Sequence, residues 1–373
     1  MHRDAHVSNR DGSWLIDDAC VYLNVSGHAP RLAIVNGAGA DALARGCSPW
    51  QIRTEAWLAA AERVRVLAAI EFACAPDCIA LLPSVAQGMA TAAANLPMQA
   101  GDTVVTLGDE HPSGVDVWKQ SAQRAGATHR EIVCGPSGDR TEAVLAALDD
   151  SVRVVVLPTC HWHDGIRLDL HRVAAAARRI DAALVVDATQ SLGVEALNLT
   201  DIDPDFVVCA GYKWLLGAPG LAYLYRAPRH EAARPLEWHG WDRVAGAHAA
   251  RRVDSASVYS QPALAMAEAA LAWLGRCDRT FLRTSLRQWQ NELREQIREC
   301  ALPFASIADS AQITALRPLN HSIDVPALAA ELGRRRIHVA ARGAALRISH
   351  HLHNSQEDIH DLASALREII RSP

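Results

Sequence analysis

LVVDATQSLGVEALNLTDIDPDFVVCAGYKWLLGAPGLAYLY, residues Leu184 to Tyr225, decides how the rest of the chain reads. Two apolar runs, Leu184-Val185-Val186 and Phe206-Val207-Val208-Cys209-Ala210, have the length and β-branched content of buried strands. Asp187 closes the first run, and Lys213 follows the second by way of Gly211-Tyr212. A carboxylate and an amine at the ends of buried strands are costly unless they are paired or used. Lysine usage adds weight to the second option. Of 37 Lys and Arg residues only Lys119 and Lys213 are lysines. Arginine stays protonated and cannot condense with a carbonyl, so an amine that must do so has to be lysine. A buried lysine held by a carboxylate is the competing reading.

Working upstream, Cys78-Ile79-Ala80-Leu81-Leu82 is a buried strand that runs into Pro83-Ser84-Val85-Ala86-Gln87-Gly88, with a helix expected from about Met89 to Leu96. Strand, small-residue turn and helix is the geometry that presents free backbone amides to a phosphate. Helices are expected at 51–73, 114–125, 140–148 and 169–179, with strands at 103–107, 129–133, 153–157 and 183–186. That alternation predicts an α/β fold: a mostly parallel sheet with helices on both faces, whose ligand site lies beyond the carboxyl ends of the strands. The candidates at 84–86, 111, 187, 190 and 213 all follow strands. Downstream, helices at 262–275 and 279–299 lead to strand 312–316, helix 325–334, strands 336–340 and 345–349, and helix 355–370. The expected division is a large domain over 15–260 and, over 261–373, linker helices with a smaller α+β domain.

Composition removes several function classes. A net charge of −5 leaves no basic footprint for nucleic acid. No apolar run approaches a membrane helix, and MHRDAHVSNRDGSW carries no apolar signal core, so the expected location is cytoplasmic. Nine scattered cysteines fit reduced thiols; Cys74 and Cys78 have no second pair to complete a zinc site, and no metal is expected. No G-x-G-x-x-G follows an early strand, which argues against a dinucleotide site.

Asp187-Ala188-Thr189-Gln190 followed by Gly211-Tyr212-Lys213 resembles the class V aminotransferase family of pyridoxal 5′-phosphate (PLP) enzymes, which includes cysteine desulfurases, kynureninases and isopenicillin N epimerases. Near the C-terminus, Leu346-Arg347-Ile348-Ser349-His350-His351-Leu352-His353-Asn354-Ser355-Gln356-Glu357-Asp358-Ile359 is similar to the same family's Leu-Arg-(Ile/Val)-Ser-x-His-x-Tyr-Asn-(Thr/Ser)-x-Glu-Asp signature. The resemblance implies PLP fold type I with a seven-stranded sheet. It implies a Schiff base on Lys213, Asp187 on the pyridinium nitrogen and Gln190 on the phenolic oxygen. It implies the phosphate at Ser84, Val85 and Ala86, with Tyr212 within reach, and the substrate carboxylate on Arg347. His111 would stack on the cofactor ring, or cap the helix beginning near Ser113. Asn24 would border the site, or cap a turn. The loop Pro158–Gly165 would bring His161 and Trp162 to the substrate as pocket or acid, or be a packed turn. The Trp238–Trp241 loop would border the site, and Ser255 or Ser257 would reach a neighbouring subunit's phosphate in a homodimer.

The expected function is therefore a PLP-dependent enzyme acting on a small-molecule amino acid, of aminotransferase or β-elimination (C–S) lyase type. An epimerase, a cyclase and a non-catalytic scaffold relative are the alternatives. Desulfurases carry a nucleophilic cysteine just before the carboxylate-binding arginine; here His338 to Leu346 holds none.

Overall fold

The computed structural model describes residues 13–17, 19–134, 138–237, 248–255, 259–307, 312–320 and 322–371. Trp238–Trp241 and Ser257 lie outside them. By internal contacts the chain forms two compact units. The larger comprises 35–160 and 168–276; the smaller comprises 1–34, 161–167 and 277–373. Helix Gln261–Leu274, expected as a linker in the C-terminal part, groups with the larger unit, and the described residues up to Ile34 group with the smaller one.

The larger unit is built on seven strands: β1 Ile79–Leu82, β2 Thr103–Leu107, β3 Thr128–Ile132, β4 Val152–Pro158, β5 Ala183–Asp187, β6 Phe206–Ala210 and β7 Ala222–Arg226. Their order is β1-β7-β6-β5-β4-β2-β3. β7 runs antiparallel to both neighbours, and the other pairings are parallel. β1, β2, β6 and β7 are buried along their whole length, as expected of strands covered on both faces. Met89, Trp118, Val156, Val185, Phe206 and Val208 share one core with Ala92, Ala93 and Leu224.

The helix after β1 begins at Val85, four residues earlier than expected, and runs to Asn95. Gly88 reads as turn punctuation but serves packing. A Cβ there would lie 2.8 Å from Val208 Cγ1, so glycine lets this helix settle on β6. A buried ion pair ties β1 to a neighbouring helix, Thr54–Glu71. Arg65 Nη2 lies 2.7 Å from Asp254 Oδ2, and Asp254 Oδ1 accepts the Leu81 amide at 2.7 Å. The Tyr259 hydroxyl also donates to Asp254.

The smaller unit has a four-stranded antiparallel sheet: β8 Phe304–Ile307, β9 Thr314–Pro318, β10 Ala340–Arg342 and β11 Ala345–Ile348, in the order β8-β9-β11-β10. Helices Arg279–Glu299, Val325–Arg334 and Gln356–Arg371 supply Leu293, Leu328, Leu332, Ile359 and Leu362 to its core. The single strand expected at 336–340 is two elements. Ile337–His338 pairs in parallel with Val21–Tyr22, while Ala340–Arg342 joins the sheet. Ser355 and Asp358 form a reciprocal capping box: each side chain accepts the other's amide, at 3.4 and 3.1 Å.

Candidate active site

The candidates fall into two sets, one in each unit. In the larger unit Asp187 ends β5, and its neighbour β6 leads to Lys213. The loop after Asp187 is sewn to the end of β6. Ala188 N–H donates to Val208 O at 2.9 Å, and Thr189 Oγ1 accepts the Ala210 amide at 3.1 Å. The Thr189 amide in turn donates to Asp187 Oδ1 at 2.9 Å, which orients the carboxylate. Lys213 is buried to 9% exposure, with Nζ 5.9 Å from the centre of the Tyr212 ring. Burial, reinforced by Asp187, raises the Tyr212 phenol above its ordinary range and keeps it a protonated donor. Burial also pushes the Cys209 thiol well up; Asp187 adds to that and Lys213 opposes it. Both charged candidates therefore act on the same thiol at the end of β6.

Gln190, 4% exposed, meets a partner that sequence reasoning did not supply. Trp214 Nε1 lies 3.0 Å from Gln190 Oε1. An indole N–H can only donate, so the amide must turn its carbonyl to Trp214 and its NH2 the other way. Gly193 makes this contact possible. Its φ is +104°, and a Cβ there would lie 2.3 Å from the Trp214 carbonyl oxygen. Beyond Lys213 the turn is closed by Leu216 N–H on Lys213 O at 3.0 Å, with Leu216 in the left-handed region at φ +59°. For a branched residue that is stored strain.

Ser84 is the N-cap of the Val85–Asn95 helix and accepts the Gln87 amide on Oγ at 3.2 Å. Val85 and Ala86 occupy the first two helical positions, whose N–H groups have no acceptor within the helix. His111 is the N-cap of helix Pro112–Ala125, with Nδ1 accepting the Ser113 amide at 3.3 Å. The capping geometry is thus present.

In the smaller unit Arg347, 1% exposed, lies on β11. Its Nη1 donates to Trp162 O at 2.7 Å and Nη2 to Asn24 Oδ1 at 3.3 Å. Its guanidinium carbon is 5.9 Å from the Trp162 ring centre. Asn24 is held beside Ser349 by a parallel bridge, and Ser26 Oγ and Ser349 Oγ are 2.7 Å apart. Asn24 O also accepts the Gly27 amide at 3.0 Å, so Asn24 both closes a turn and contacts Arg347. His161, 1% exposed, has Nδ1 3.3 Å from Asp164 Oδ1. Its ring stands edge-on to His163, with centres 5.4 Å apart. The four substrate-side candidates, Asn24, His161, Trp162 and Arg347, thus belong to one compact unit. Arg342, to which the sequence assigned no role, joins them through its contact with the Trp162 ring at 5.5 Å.

The profile of the family described as aminotransferase class-V matches residues 60–362. An uncharacterized aminotransferase, YcbU, of Bacillus subtilis (strain 168) is 25% identical over 300 residues, which cover 76% of this chain and 77% of that protein. A cysteine desulfurase of Salmonella typhimurium is 31% identical over 129 residues, 34% of this chain and 32% of that enzyme. Among solved structures, the cystine C–S lyase C-DES bound to its product cysteine persulfide has a TM-score of 0.85 at 20% identity, over 94% of this chain and 97% of that one. The Escherichia coli cysteine desulfurase CsdA has 0.83 at 19%, over 96% of each. These structural likenesses establish the fold, and the profile match over most of the chain establishes the lineage: the protein belongs to the class V aminotransferase family.

Proposed function

We propose that the protein is a PLP-dependent enzyme acting on an amino acid by amino transfer or by C–S (β-elimination) cleavage. One observation carries the reading: in a chain with two lysines, one is buried just past a strand whose neighbour ends in a carboxylate. PLP fits the residues present. The larger unit offers a buried amine, an oriented carboxylate, an amide with its NH2 turned away from Trp214, and a capped helix N-terminus with two outward amides. When bound, this cofactor supplies an electron sink for charge developing at the substrate's Cα.

The chain's own residues do the rest. Lys213 Nζ would hold the cofactor's carbonyl carbon and would be the base placed to take and return the Cα proton. Asp187, acceptor only, would pair with the cofactor's ring nitrogen and favour its protonated form. Gln190 donates to an anionic oxygen. The amides of Val85 and Ala86, the Ser84 hydroxyl and the neutral Tyr212 phenol hold the phosphate. His111 covers a ring face. Arg347 grips the α-carboxylate with two parallel hydrogen bonds, Asn24 and Trp162 fix its plane, and His161 beside Asp164 is the candidate proton donor to a leaving group. Residues 340–348 form a tight hairpin turning at Gly343-Ala344. It has no cysteine, which favours reactions that need no protein thiolate. A homodimer, with Ser255 reaching its partner, belongs to the same reading; sedimentation at equilibrium tests it.

The decisive experiment is the visible absorption of the purified protein and of Lys213→Ala, each supplied with PLP and titrated with a panel of amino acids. A visible band in the wild type, shifted by particular amino acids and lost or altered in the variant, is the expected result. Keto acid, sulfide or inverted amino acid in the products identifies the reaction. A wild type that stays colourless with added PLP overturns the proposal.

A further inference from the structure

We infer that the substrate carries a second anion on a short side chain, a carboxylate or sulfinate, and that Arg342 is the residue that selects it. The inference rests on the proposed reading of Arg347 as the α-carboxylate site. In the hairpin, Arg342 pairs with Ala345 and Ala340 with Arg347. Directly paired residues share a face of an antiparallel sheet, and so do residues two apart along a strand. Arg342 and Arg347 therefore project from the same face as diagonal neighbours, with backbones about 7–8 Å apart. Their guanidinium carbons both lie over one indole, that of Trp162, at 5.5 and 5.9 Å from its centre. Gly343, at φ +51°, provides the turn that puts the first arginine two strand positions from the second.

Arg342 is not engaged as structural arginines of this protein are. Arg65, fully buried, is neutralised by Asp254 at 2.7 Å. Arg342 is half-buried. Its Nη1 donates only to the adjoining Ala341 O at 3.1 Å, and its buried Nε has no hydrogen-bond partner among the described residues. Indole stacking satisfies a guanidinium face but none of its in-plane N–H groups. A forked cation with an unused in-plane edge, beside a second arginine and shielded by the same aromatic ring, is built for an anion that presents two acceptor oxygens. A substrate bearing one carboxylate for Arg347 and one anionic group for Arg342 supplies the missing acceptor and relieves the repulsion between two like charges. A neutral side chain does neither.

Two measurements test this. In the first, the PLP-loaded enzyme is titrated spectrally with L-aspartate and L-cysteine sulfinate, each against its neutral counterpart, L-asparagine and L-cysteine. We expect the acidic ligands to bind about 10- to 100-fold more tightly, the worth of one charged hydrogen-bonded pair. Arg342→Gln should abolish that preference and leave the neutral ligands unchanged. Arg342→Lys should restore part of it, and Arg347→Gln should weaken all four. The two acidic ligands separate a carboxylate from a sulfinate preference. A wild type without preference for the acidic member, or an Arg342→Gln variant that weakens all four ligands equally, overturns the inference. The second measurement needs no cofactor chemistry: thermal stabilisation of the purified protein by succinate compared with butyrate. Succinate should stabilise the wild type more than butyrate does, and the difference should vanish in Arg342→Gln. If the protein proves colourless with PLP but keeps this difference, the proposed activity falls and the paired-anion site stands. If succinate and butyrate act alike, the paired-anion site falls.

Discussion

Replacing Trp214 with phenylalanine tests how the cofactor-side residues are held. Trp214 is fully buried and its Nε1 donates to Gln190 Oε1 at 3.0 Å. Phenylalanine keeps an aromatic ring but removes the donor. The Gln190 carbonyl, in a residue only 4% exposed, then loses this partner. Removing that hydrogen bond from a buried carbonyl costs about 1–3 kcal/mol. The missing half of the indole leaves a void that adds about 1 kcal/mol or more. Stability should fall by about 2–4 kcal/mol in urea unfolding. A second effect separates positioning from packing. With its carbonyl released, Gln190 can rotate and turn its NH2 away from the cofactor. Losing a hydrogen bond to a charged oxygen is worth about 1.5–3 kcal/mol, so PLP affinity, read by spectral titration, should weaken about 10- to 100-fold. Gln190→Ala should weaken it similarly, and the double variant should be little worse than either, because both remove one interaction. Strict additivity of the two substitutions in PLP affinity would refute the idea that Trp214 acts through Gln190. An unfolding midpoint unchanged in Trp214→Phe would refute the energetic reasoning as a whole.

Acid should unfold the protein early: burial pushes His350 down to about 4, opposed in part by its bond to Leu286 O. Between pH 6.5 and about 4 the unfolded chain takes up a proton that the folded one refuses, so stability falls with pH by about 3 kcal/mol, and His350→Gln should flatten the stability–pH curve in this window. Asp254→Asn should cost about 3 kcal/mol in urea unfolding, because it removes the fully buried carboxylate that faces Arg65 and leaves only the partly exposed Glu62, at 3.2 Å, to balance the guanidinium. Gly193→Ala should destabilise by about 2–6 kcal/mol, from strain at φ +104° and collision with the Trp214 carbonyl. A variant that unfolds with wild-type midpoint would show that this turn does not press on Trp214.

The elements legible in the sequence are those where local chemistry and burial agree. Strands such as Phe206–Ala210 are continuous apolar runs because both faces are covered, and Asp187 and Lys213 stand out because each follows such a run. Local sequence misleads where a residue serves tertiary packing. Gly88 mimics a turn in the sequence, but its small size is required by Val208 on the strand beneath, so the helix starts at Val85. Residues 336–342 read as one strand and a loop, because nothing local reveals that Ile337–His338 pairs with Val21–Tyr22, more than 300 residues away. Trp214 beside Lys213 reads as core, and its donor role appears only once Gly193 lets the Asp187 loop close on it.

Arg342 shows why a site's specificity is harder to read than its chemistry. Lys213 and Asp187 stand out because a charge in an apolar context is expensive whatever surrounds it. Arg342 occupies a half-exposed hairpin position where an arginine costs nothing and, in a chain that writes nearly all its positive charge as arginine, attracts no notice. Its proposed role depends on a register: Ala340 opposite Arg347 places Arg342 on the same face as Arg347, and a one-residue slip would turn it to the other. It depends equally on Trp162, about 180 residues earlier in the chain, to bring both guanidinium groups over a single ring. The reacting groups are set by strand ends, which sequence periodicity reports. The discriminating group is set by strand pairing and a distant indole, and these are properties of the fold alone.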